Sequence, residues 1–182
     1  MFETARLIIR PYKNNDAKAL LSVMNDYNIY KTTYGIPHPC DIHYVKRWIK
    51  FVTDNLSSGN SFEYAVIEKS SGIYLGNVGV INIDNISKRC DISYFINPHY
   101  WGYGYATEAS AEMIKFAFLN LDMVRVGGMC MNINPASARV MEKLGMKHEG
   151  VLRKYFCKNN NWIDASNYSI LKEEFAEQYR KL

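Results

Sequence analysis

The stretch WGYGYATEA, from Trp101 to Ala109, places two glycines two residues apart, after an apolar run and at the start of a helical pattern. Protein backbone approaches a phosphate closely where side chains are missing, and a helix start supplies unpaired N–H groups and a partial positive charge. The stretch therefore predicts a strand, a loop and a helix that together hold an anion. A dinucleotide-binding motif would have a third glycine where Thr107 stands, so the diphosphate of another cofactor is favoured. A tight turn that merely starts a helix is the alternative.

Upstream of this loop, the chain reads as a strand, two helices and three further strands. An apolar run, Leu7 to Ile9, is followed by Pro11 and predicts the first strand. Polar residues from Asn14 to Asp16 can cap the first helix, and Asp41 can cap the second. Three extended runs follow, and their short connections predict antiparallel hairpins: Phe62 to Ile67, Tyr74 to Ile83 and Cys90 to Ile96.

Downstream of the loop, an amphipathic helix precedes a predicted strand that runs from Val124 to Met131. A helical crossover of this kind joins parallel or nearly parallel neighbours. Asn134 and Pro135 predict the start of a short helix, which Gly145 ends. Two more strands and a helical tail close the chain: Met146 to Phe156, Ile163 to Leu171 and the residues up to Leu182.

This order of elements predicts an α/β fold, with a mixed and mainly antiparallel sheet of about seven strands and about four helices on both faces. It does not match a doubly wound fold. The length of 182 residues predicts a single domain, residues 1–182. Hydrophobic residues make up 48% of the chain and charged residues 22%, which is typical of a globular protein that buries a full core.

The composition also bears on compartment and partners. No apolar run approaches the roughly 20 residues of a membrane helix, and the first residues lack a signal-peptide pattern, so we expect a cytoplasmic protein. The four cysteines lie far apart without a CxxC pair, so neither a zinc site nor a disulfide framework is expected. The net charge of +4 is spread without a basic run, which argues against nucleic acid as a main partner.

Several segments, in order and spread over nearly the whole chain, resemble those of one enzyme superfamily. They are TARLIIRP (Thr4 to Pro11), DISYFINP with WGYGYATEA (Asp91 to Ala109), NPAS with EKLGM (Asn134 to Met146), EG (Glu149 and Gly150) and WIDASNYSILKEE (Trp162 to Glu174). Together they resemble the GNAT superfamily of acyl-CoA N-acyltransferases. Within it they resemble the RimJ/RimL-type branch, which includes ribosomal-protein N-terminal acetyltransferases.

The resemblance implies acetyl-CoA as a co-substrate, with no metal. In this superfamily the glycine loop donates backbone N–H groups to the CoA pyrophosphate. Gly102 would allow the turn, and the implied donors are Tyr103, Gly104, Tyr105, Ala106 and Thr107. His99 stands where the family often has Gln or Arg. The strand before the loop would separate from its neighbour, and N–H groups near Phe95 and Ile96 would polarise the thioester carbonyl.

Asn134 and Ser137 match the Asn-x-x-Ser pattern of the branch. Asn134 either only caps its helix or also contacts the coenzyme. Ser137 is the candidate that protonates the departing thiolate, and a purely structural serine is the alternative. The attacking amine must lose a proton, for which Asp91 is the first candidate base and Glu149 the second. Deprotonation by bulk water stays open.

The resemblance therefore predicts an N-acetyltransferase that moves acetyl from acetyl-CoA to a primary amine by direct attack in a ternary complex. One predicted acceptor is a protein N-terminal α-amine, and the other is a small amine such as a polyamine, amino acid or aminoglycoside. A catalytically silent acyl-CoA-binding module is the alternative outside enzymes. We expect a monomer or homodimer with no membrane partner. Aromatic residues are candidates for lining the acceptor cleft, among them Tyr30, Tyr34, Trp48 and Tyr155.

Overall fold

The computed structural model of the chain describes residues 1–179; residues 180–182, the end of the predicted tail and of the predicted domain, lie outside the described residues. The described part contains one eight-stranded sheet. Its strands are β1 (Phe2–Glu3), β2 (Leu7–Arg10), β3 (Phe62–Glu68), β4 (Tyr74–Asp84), β5 (Arg89–Ile96), β6 (Arg125–Met131), β7 (Lys147–Lys158) and β8 (Asn161–Leu171). The α-helices of this part are α1 (Ala17–Met24), α2 (Tyr27–Thr32), α3 (Ile42–Ser58), α4 (Tyr105–Leu119), α5 (Pro135–Lys143) and α6 (Lys172–Tyr179).

The strands lie side by side in the order β1-β2-β3-β4-β5-β6-β8-β7. Neighbouring strands are antiparallel except β5 and β6, which are parallel and joined through α4. The predicted mixed, mainly antiparallel fold class is confirmed. Two elements were not predicted: strand β1, with 2 residues, and helix α2, with 6. Both are too short to show a periodic pattern.

Of the caps predicted for the first two helices, only the second caps its helix through a side chain. Asp41 caps α3 as predicted, since its Oδ1 accepts a hydrogen bond of 2.7 Å from the Tyr44 N–H. Asp16 stands at the start of α1 but does not cap it with its side chain. Its carboxylate accepts a hydrogen bond from the Lys13 N–H instead and forms a two-bonded ion pair with Arg10. The ion pair therefore fixes α1 to the end of β2.

The sheet separates two apolar clusters. Under α4 and α5, residues such as Ile114 and Met141 pack on Val78 and Val80 of β4. On the opposite face, α1 and α3 pack on β3, and the buried members include Leu20, Val45, Ile49 and Ala65. Full burial of such a side chain contributes about 1.5–3 kcal/mol. Because helices cover both faces of the sheet at β3 and β4, a ligand can enter the middle of the sheet only where neighbouring strands separate.

Strands β5 and β6 separate soon after they begin. They pair at three positions: Arg89 with Arg125, Cys90 with Val126 and Asp91 with Gly127. Beyond these, β5 stays paired with β4 up to Ile96, and β6 stays paired with β8 up to Met131. The facing edges of β5 and β6 therefore diverge toward the glycine loop, as predicted. This opening in the middle of the sheet positions the candidate site.

Candidate active site

The glycine loop connects the end of β5 to the start of α4. Gly102 and Gly104 both have φ of +83°, a left-handed conformation that glycine adopts without strain. Gly104 is the N-cap of α4 and supplies no side-chain cap, so the first N–H groups of the helix are open to a ligand. A Cβ built at Gly102 would meet nothing within 4 Å, which leaves space above the turn. These features suit the binding of an anion at the start of α4.

Arg6, in the turn between β1 and β2, contacts this loop. Its Nη1 donates a hydrogen bond of 3.0 Å to the Tyr103 carbonyl, and its Nε donates to Glu108 Oε2 at 2.7 Å. Its guanidinium carbon lies 4.6 Å from the centre of the Tyr105 ring. Arg6 therefore ties the loop to the first turn of α4. Arg6 lies within the segment TARLIIRP, but nothing in the sequence alone indicates this role.

A cleft of about 720 Å³ passes through the opening between β5 and β6. Residues of α4 and α5 line it on one face of the sheet, and residues of α2 and α3 line it on the other. It brings together most of the predicted site residues: Asp91, Phe95, Ile96, Gly102, Gly104, Tyr105, Ala106, Thr107, Asn134 and Ser137. Three others are not among the residues that line it: His99, Tyr103 and Glu149.

The backbone amides of Phe95 and Ile96 point in opposite directions. The Asn97 N–H donates to the Leu75 carbonyl on β4 at 2.7 Å. Since amide directions alternate along a strand, the Phe95 N–H also points to β4 and the Ile96 N–H points to the opening. In agreement, a Cβ on Gly76 of β4 would lie 2.1 Å from the Phe95 carbonyl oxygen. The Phe95 amide is therefore part of the sheet, and of the two amides it is the Ile96 N–H that faces the opening.

Ser137 lies in the first turn of α5 and contacts Tyr94 of β5. The two hydroxyl oxygens are 2.8 Å apart, and Tyr94 also donates a hydrogen bond of 3.0 Å to the Ser137 carbonyl. Burial raises the pKa of Tyr94, so this phenol stays protonated at neutral pH. Both residues line the cleft. Tyr94 was missed because nothing in the sequence connects it with a residue of a later helix.

Asn134 is the N-cap of α5, as predicted. Its Oδ1 accepts a hydrogen bond of 3.2 Å from the Ser137 N–H, and its Nδ2 donates to the Thr32 carbonyl of α2 at 3.2 Å. Both ends of the amide thus have protein partners. Asn134 therefore caps α5, and its amide also links α5 to α2 beside the cleft.

Asp91 and Glu149, the two predicted bases, have different surroundings. Asp91 lines the cleft, and its Oδ2 accepts a hydrogen bond of 2.9 Å from Asn82. Glu149 is bound by Arg125 through two hydrogen bonds of 2.6 Å and also by Ser169. These hydrogen bonds from Arg125 and Ser169 lower the pKa of Glu149 to about 2. Such a carboxylate is a weak base, and the structure does not bring it to the cleft.

Glu63 of β3 lines the cleft and was not among the predicted site residues. Ala65 belongs to the cluster under α1 and α3, so Glu63, two residues earlier on the strand, points to the same face. Asn77 donates a hydrogen bond of 2.9 Å to Glu63 Oε2. Burial raises the pKa of the Glu63 carboxyl, and the Asn77 hydrogen bond partly offsets this. The available signal was a charged residue within an apolar strand.

Aromatic side chains surround the cleft on the α2 and α3 side. Tyr34, Trp48 and Tyr155 line it as predicted, together with Phe156. Tyr30 does not; its hydroxyl donates to Asn159, and its ring lies 3.9 Å from the Lys158 ammonium nitrogen.

Across residues 1–179, no cluster of three or more His, Cys, Asp or Glu side chains could hold a metal ion. Among the helices of this part, none is both long and apolar enough to cross a membrane. One cysteine, Cys130, lines the cleft, and burial raises the pKa of its thiol. A thiol of raised pKa is a poor nucleophile at neutral pH.

Comparison with known proteins identifies the class. The family described as an acetyltransferase (GNAT) domain matches residues 6–147. The chain belongs to this GNAT family, and the predicted acyl-CoA N-acyltransferase is confirmed. Over 172 residues the chain is 27% identical to the uncharacterized N-acetyltransferase YoaA of Bacillus subtilis (strain 168), an alignment that covers 94% of this chain and 97% of YoaA.

Two solved structures share the fold at lower identity. The ribosomal-protein-S5-alanine acetyltransferase from Vibrio fischeri has a TM-score of 0.84 and 21% identity, covering 96% of this chain and 97% of that one. The spermidine N-acetyltransferase from Vibrio cholerae, solved in complex with CoA and spermine, has a TM-score of 0.80 and 19% identity, covering 95% and 99%. At these identities the likeness concerns the fold.

Proposed function

We propose that the enzyme transfers acetyl from acetyl-CoA directly to the α-amine of a protein N-terminus, as expected for the RimJ/RimL-type branch. The shape of the cleft is the main support for this proposal, because the cleft opens to both faces of the sheet where β5 and β6 separate. A coenzyme on the α4 side and an amine on the α2 side can meet there in one ternary complex. The rings of Tyr34 and Tyr155, 60% and 52% exposed, offer apolar surface to the residues that follow an N-terminus.

The glycine loop would hold the CoA diphosphate. The N–H groups at the start of α4 supply the donors, and the open space above Gly102 admits the phosphates. The proposed donors remain Tyr103, Gly104, Tyr105, Ala106 and Thr107. On the facing edge of β5, the Ile96 N–H is the group that would stabilise negative charge on the thioester oxygen.

The chemistry requires a proton donor for the thiolate and no covalent enzyme intermediate. We assign the donor to Ser137, whose hydroxyl contacts the protonated Tyr94 phenol. Asn134 positions Ser137 by capping its helix, and whether it also contacts coenzyme is part of the same proposal. The raised pKa of Cys130 supports direct transfer, since that thiol is unsuited to carry the acetyl group.

A small amine is the second candidate acceptor. The observation that favours it is the pair of carboxylates, Glu63 and Asp91, on the acceptor side of the cleft. Carboxylates attract ammonium groups, and the neighbouring aromatic rings suit the carbon chain of a polyamine. Spermidine is the simplest probe of this candidate.

The two acceptors can be separated in one assay. Purified protein is incubated with acetyl-CoA and either peptides with a free N-terminus or spermidine, and CoA release is followed with mass analysis of the products. We expect acetylation of the peptide α-amine and none of an N-terminally blocked peptide. If spermidine is acetylated and the peptides are not, the acceptor is a small amine and not a protein N-terminus.

Cell context is part of the proposal. All four cysteines are free thiols, which suits a reducing compartment, and we place the enzyme in the cytoplasm as a monomer or homodimer.

A further inference from the structure

We propose that Glu63 takes the proton from the acceptor amine before it attacks the thioester. The proposal rests on the direct transfer described above and holds for either acceptor. It assigns a catalytic role to a strand that lies two positions away from the opening in the sheet.

The Glu63 side chain leans over Gly79 of the neighbouring strand β4, the strand that lies between β3 and β5. Glu63 pairs with Gly79 of β4, and Gly79 pairs with Ser93 of β5, so Glu63 and Ser93 are two strand spacings apart, about 10 Å. A Cβ built on Gly79 would lie 2.6 Å from Glu63 Cγ. The missing side chain of Gly79 thus leaves the space that the Glu63 side chain occupies. Glu63 is among the residues that line the cleft.

A chain of hydrogen bonds orients the carboxylate. The Tyr12 hydroxyl donates to Asn77 Oδ1 at 3.0 Å and lies 3.0 Å from the Tyr74 hydroxyl. Since the single Tyr12 proton goes to Asn77, Tyr74 is the donor to Tyr12. The amide of Asn77 is therefore fixed with its NH₂ toward Glu63 Oε2. Within residues 1–179, no hydrogen bond reaches the other oxygen, Oε1, which is the one left for an amine or a bridging water.

The charged groups around Glu63 leave burial as the main influence on the pKa of its carboxyl. Ionisable groups near Glu63 include the phenols of Tyr12 and Tyr74, the Asp91 carboxyl on β5 and the Arg10–Asp16 ion pair next to the phenols. None of them donates a hydrogen bond to the Glu63 carboxylate within the described residues. Burial therefore keeps the pKa of Glu63 raised, and a base of raised pKa accepts a proton more readily.

With Glu63 as the base, every proton in the acetyl transfer has a donor and an acceptor. An N–H bond of the acceptor ammonium breaks and an O–H bond forms on Glu63, directly or through one water. The nitrogen lone pair forms a C–N bond with the thioester carbonyl carbon as the C–S bond breaks. The sulfur leaves with the electron pair and takes the hydroxyl proton of Ser137. The Ser137 oxygen then receives the second proton that the nitrogen loses. Glu63 releases its proton to water in the cleft.

Glu63→Gln tests the assignment, because glutamine can keep a hydrogen bond to Asn77 but cannot accept the proton. The probes are an alanine-led peptide and spermidine, and the readout is kcat/KM as a function of pH. We expect a loss of about 10²-fold to 10⁴-fold at neutral pH. The variant profile should rise with the fraction of free amine up to alkaline pH, whereas the wild type should reach a plateau earlier.

Two variants serve as comparisons. Glu173→Gln makes the same chemical change at an exposed position in the first turn of α6 and should leave the profile unchanged. Asp91→Asn tests the competing base. The assignment is overturned if folded Glu63→Gln keeps the wild-type profile, or if only Asp91→Asn moves the profile toward alkaline pH.

A measurement that needs no turnover tests the role of Glu63 independently of the proposed acceptor. Carbon NMR titration of the glutamate carboxyls in the free protein, assigned by the signal that Glu63→Gln removes, reports the Glu63 pKa. A pKa in the ordinary range for glutamate would overturn the assignment even if neither probe is acetylated, while failure of both probes with a raised pKa would count against the proposed acceptors alone. If Glu63→Gln does not fold, Glu63→Asp, which keeps a carboxylate but removes the glutamate signal, supplies the assignment for the wild-type titration, and Asp91→Asn still tests the competing base.

Discussion

The Tyr94 hydroxyl lies 2.8 Å from Ser137 Oγ and 3.0 Å from the Ser137 carbonyl oxygen, so one phenol of β5 holds the first turn of α5 at two points. The phenol gives its proton to the carbonyl. The Ser137 hydroxyl proton therefore remains available, either to the phenol oxygen or to a thiolate that forms nearby.

If Ser137 protonates the thiolate as proposed, Ser137→Ala should lower kcat and leave the CoA affinity nearly unchanged, because the lost interaction would matter mainly in the transition state. General-acid help is worth about 10²-fold to 10⁴-fold, and the lower end is expected here because a thiolate is a good leaving group. Ser110→Ala is the matched control, since Ser110 is buried on α4 and its hydroxyl has no hydrogen-bond partner within the described residues. A normal kcat with a lower melting temperature in Ser137→Ala would show a structural serine.

Gly104→Ala should weaken CoA binding as well as stability. Gly104 has φ of +83°, and a left-handed backbone costs other residues roughly 1–2 kcal/mol. The loop would relax this strain by turning its N–H groups. Gly59→Ala carries the same type of penalty, at φ of +73° and with nothing within 4 Å of a Cβ, but lies at the end of α3. Calorimetry should show lower CoA affinity for Gly104→Ala only; equal affinities would remove the loop from the coenzyme site.

Asn77→Ser should move the acid limb of the kcat/KM profile to higher pH. The Asn77 hydrogen bond favours the charged form of Glu63 and so lowers its pKa, and serine is too short to replace that bond. The pKa of Glu63 should therefore rise further, and a more alkaline solution is needed to ionise it. A profile displaced toward acid pH contradicts this reading.

Glu149→Gln should reduce stability without changing the pH profile of activity. The pKa of Glu149 is lowered to about 2 by Arg125, so its stabilising contribution is present above the unfolded pKa and is lost as the pH falls toward 2. Both side chains are about one third exposed, so we expect a loss of at most about 1 kcal/mol at neutral pH. Thermal unfolding from neutral to acid pH should show the difference between wild type and variant disappearing. A changed activity profile would return Glu149 to the list of candidate bases.

The elements that the sequence predicted well have local causes. Asp41 caps α3, Asn134 caps α5 and the glycines turn the chain into α4 because each signal lies within a few residues of its effect. The diverging strands were predicted through the family resemblance, and the register confirms them.

The missed residues depend on contacts between distant parts of the chain. Tyr94 and Ser137 are 43 residues apart, and Arg6 and Glu108 are 102 apart. Glu63 enters the cleft only because Gly79, on the next strand, leaves room for its side chain. The direction of the Phe95 amide likewise depends on the register with β4. Periodicity along one segment contains no information on such relations.

The opening between β5 and β6 gives the free enzyme two unpaired strand edges inside its own sheet. Amides along them exchange with water without a partner strand to protect them, and local opening there exposes the chain to proteases. A ligand that binds only the folded chain adds about 2.7 kcal/mol at a concentration 100 times its Kd. Coenzyme seated between these edges, acetylated or not, would cover both of them, so bound coenzyme should slow amide exchange there and protect the folded enzyme from proteolysis.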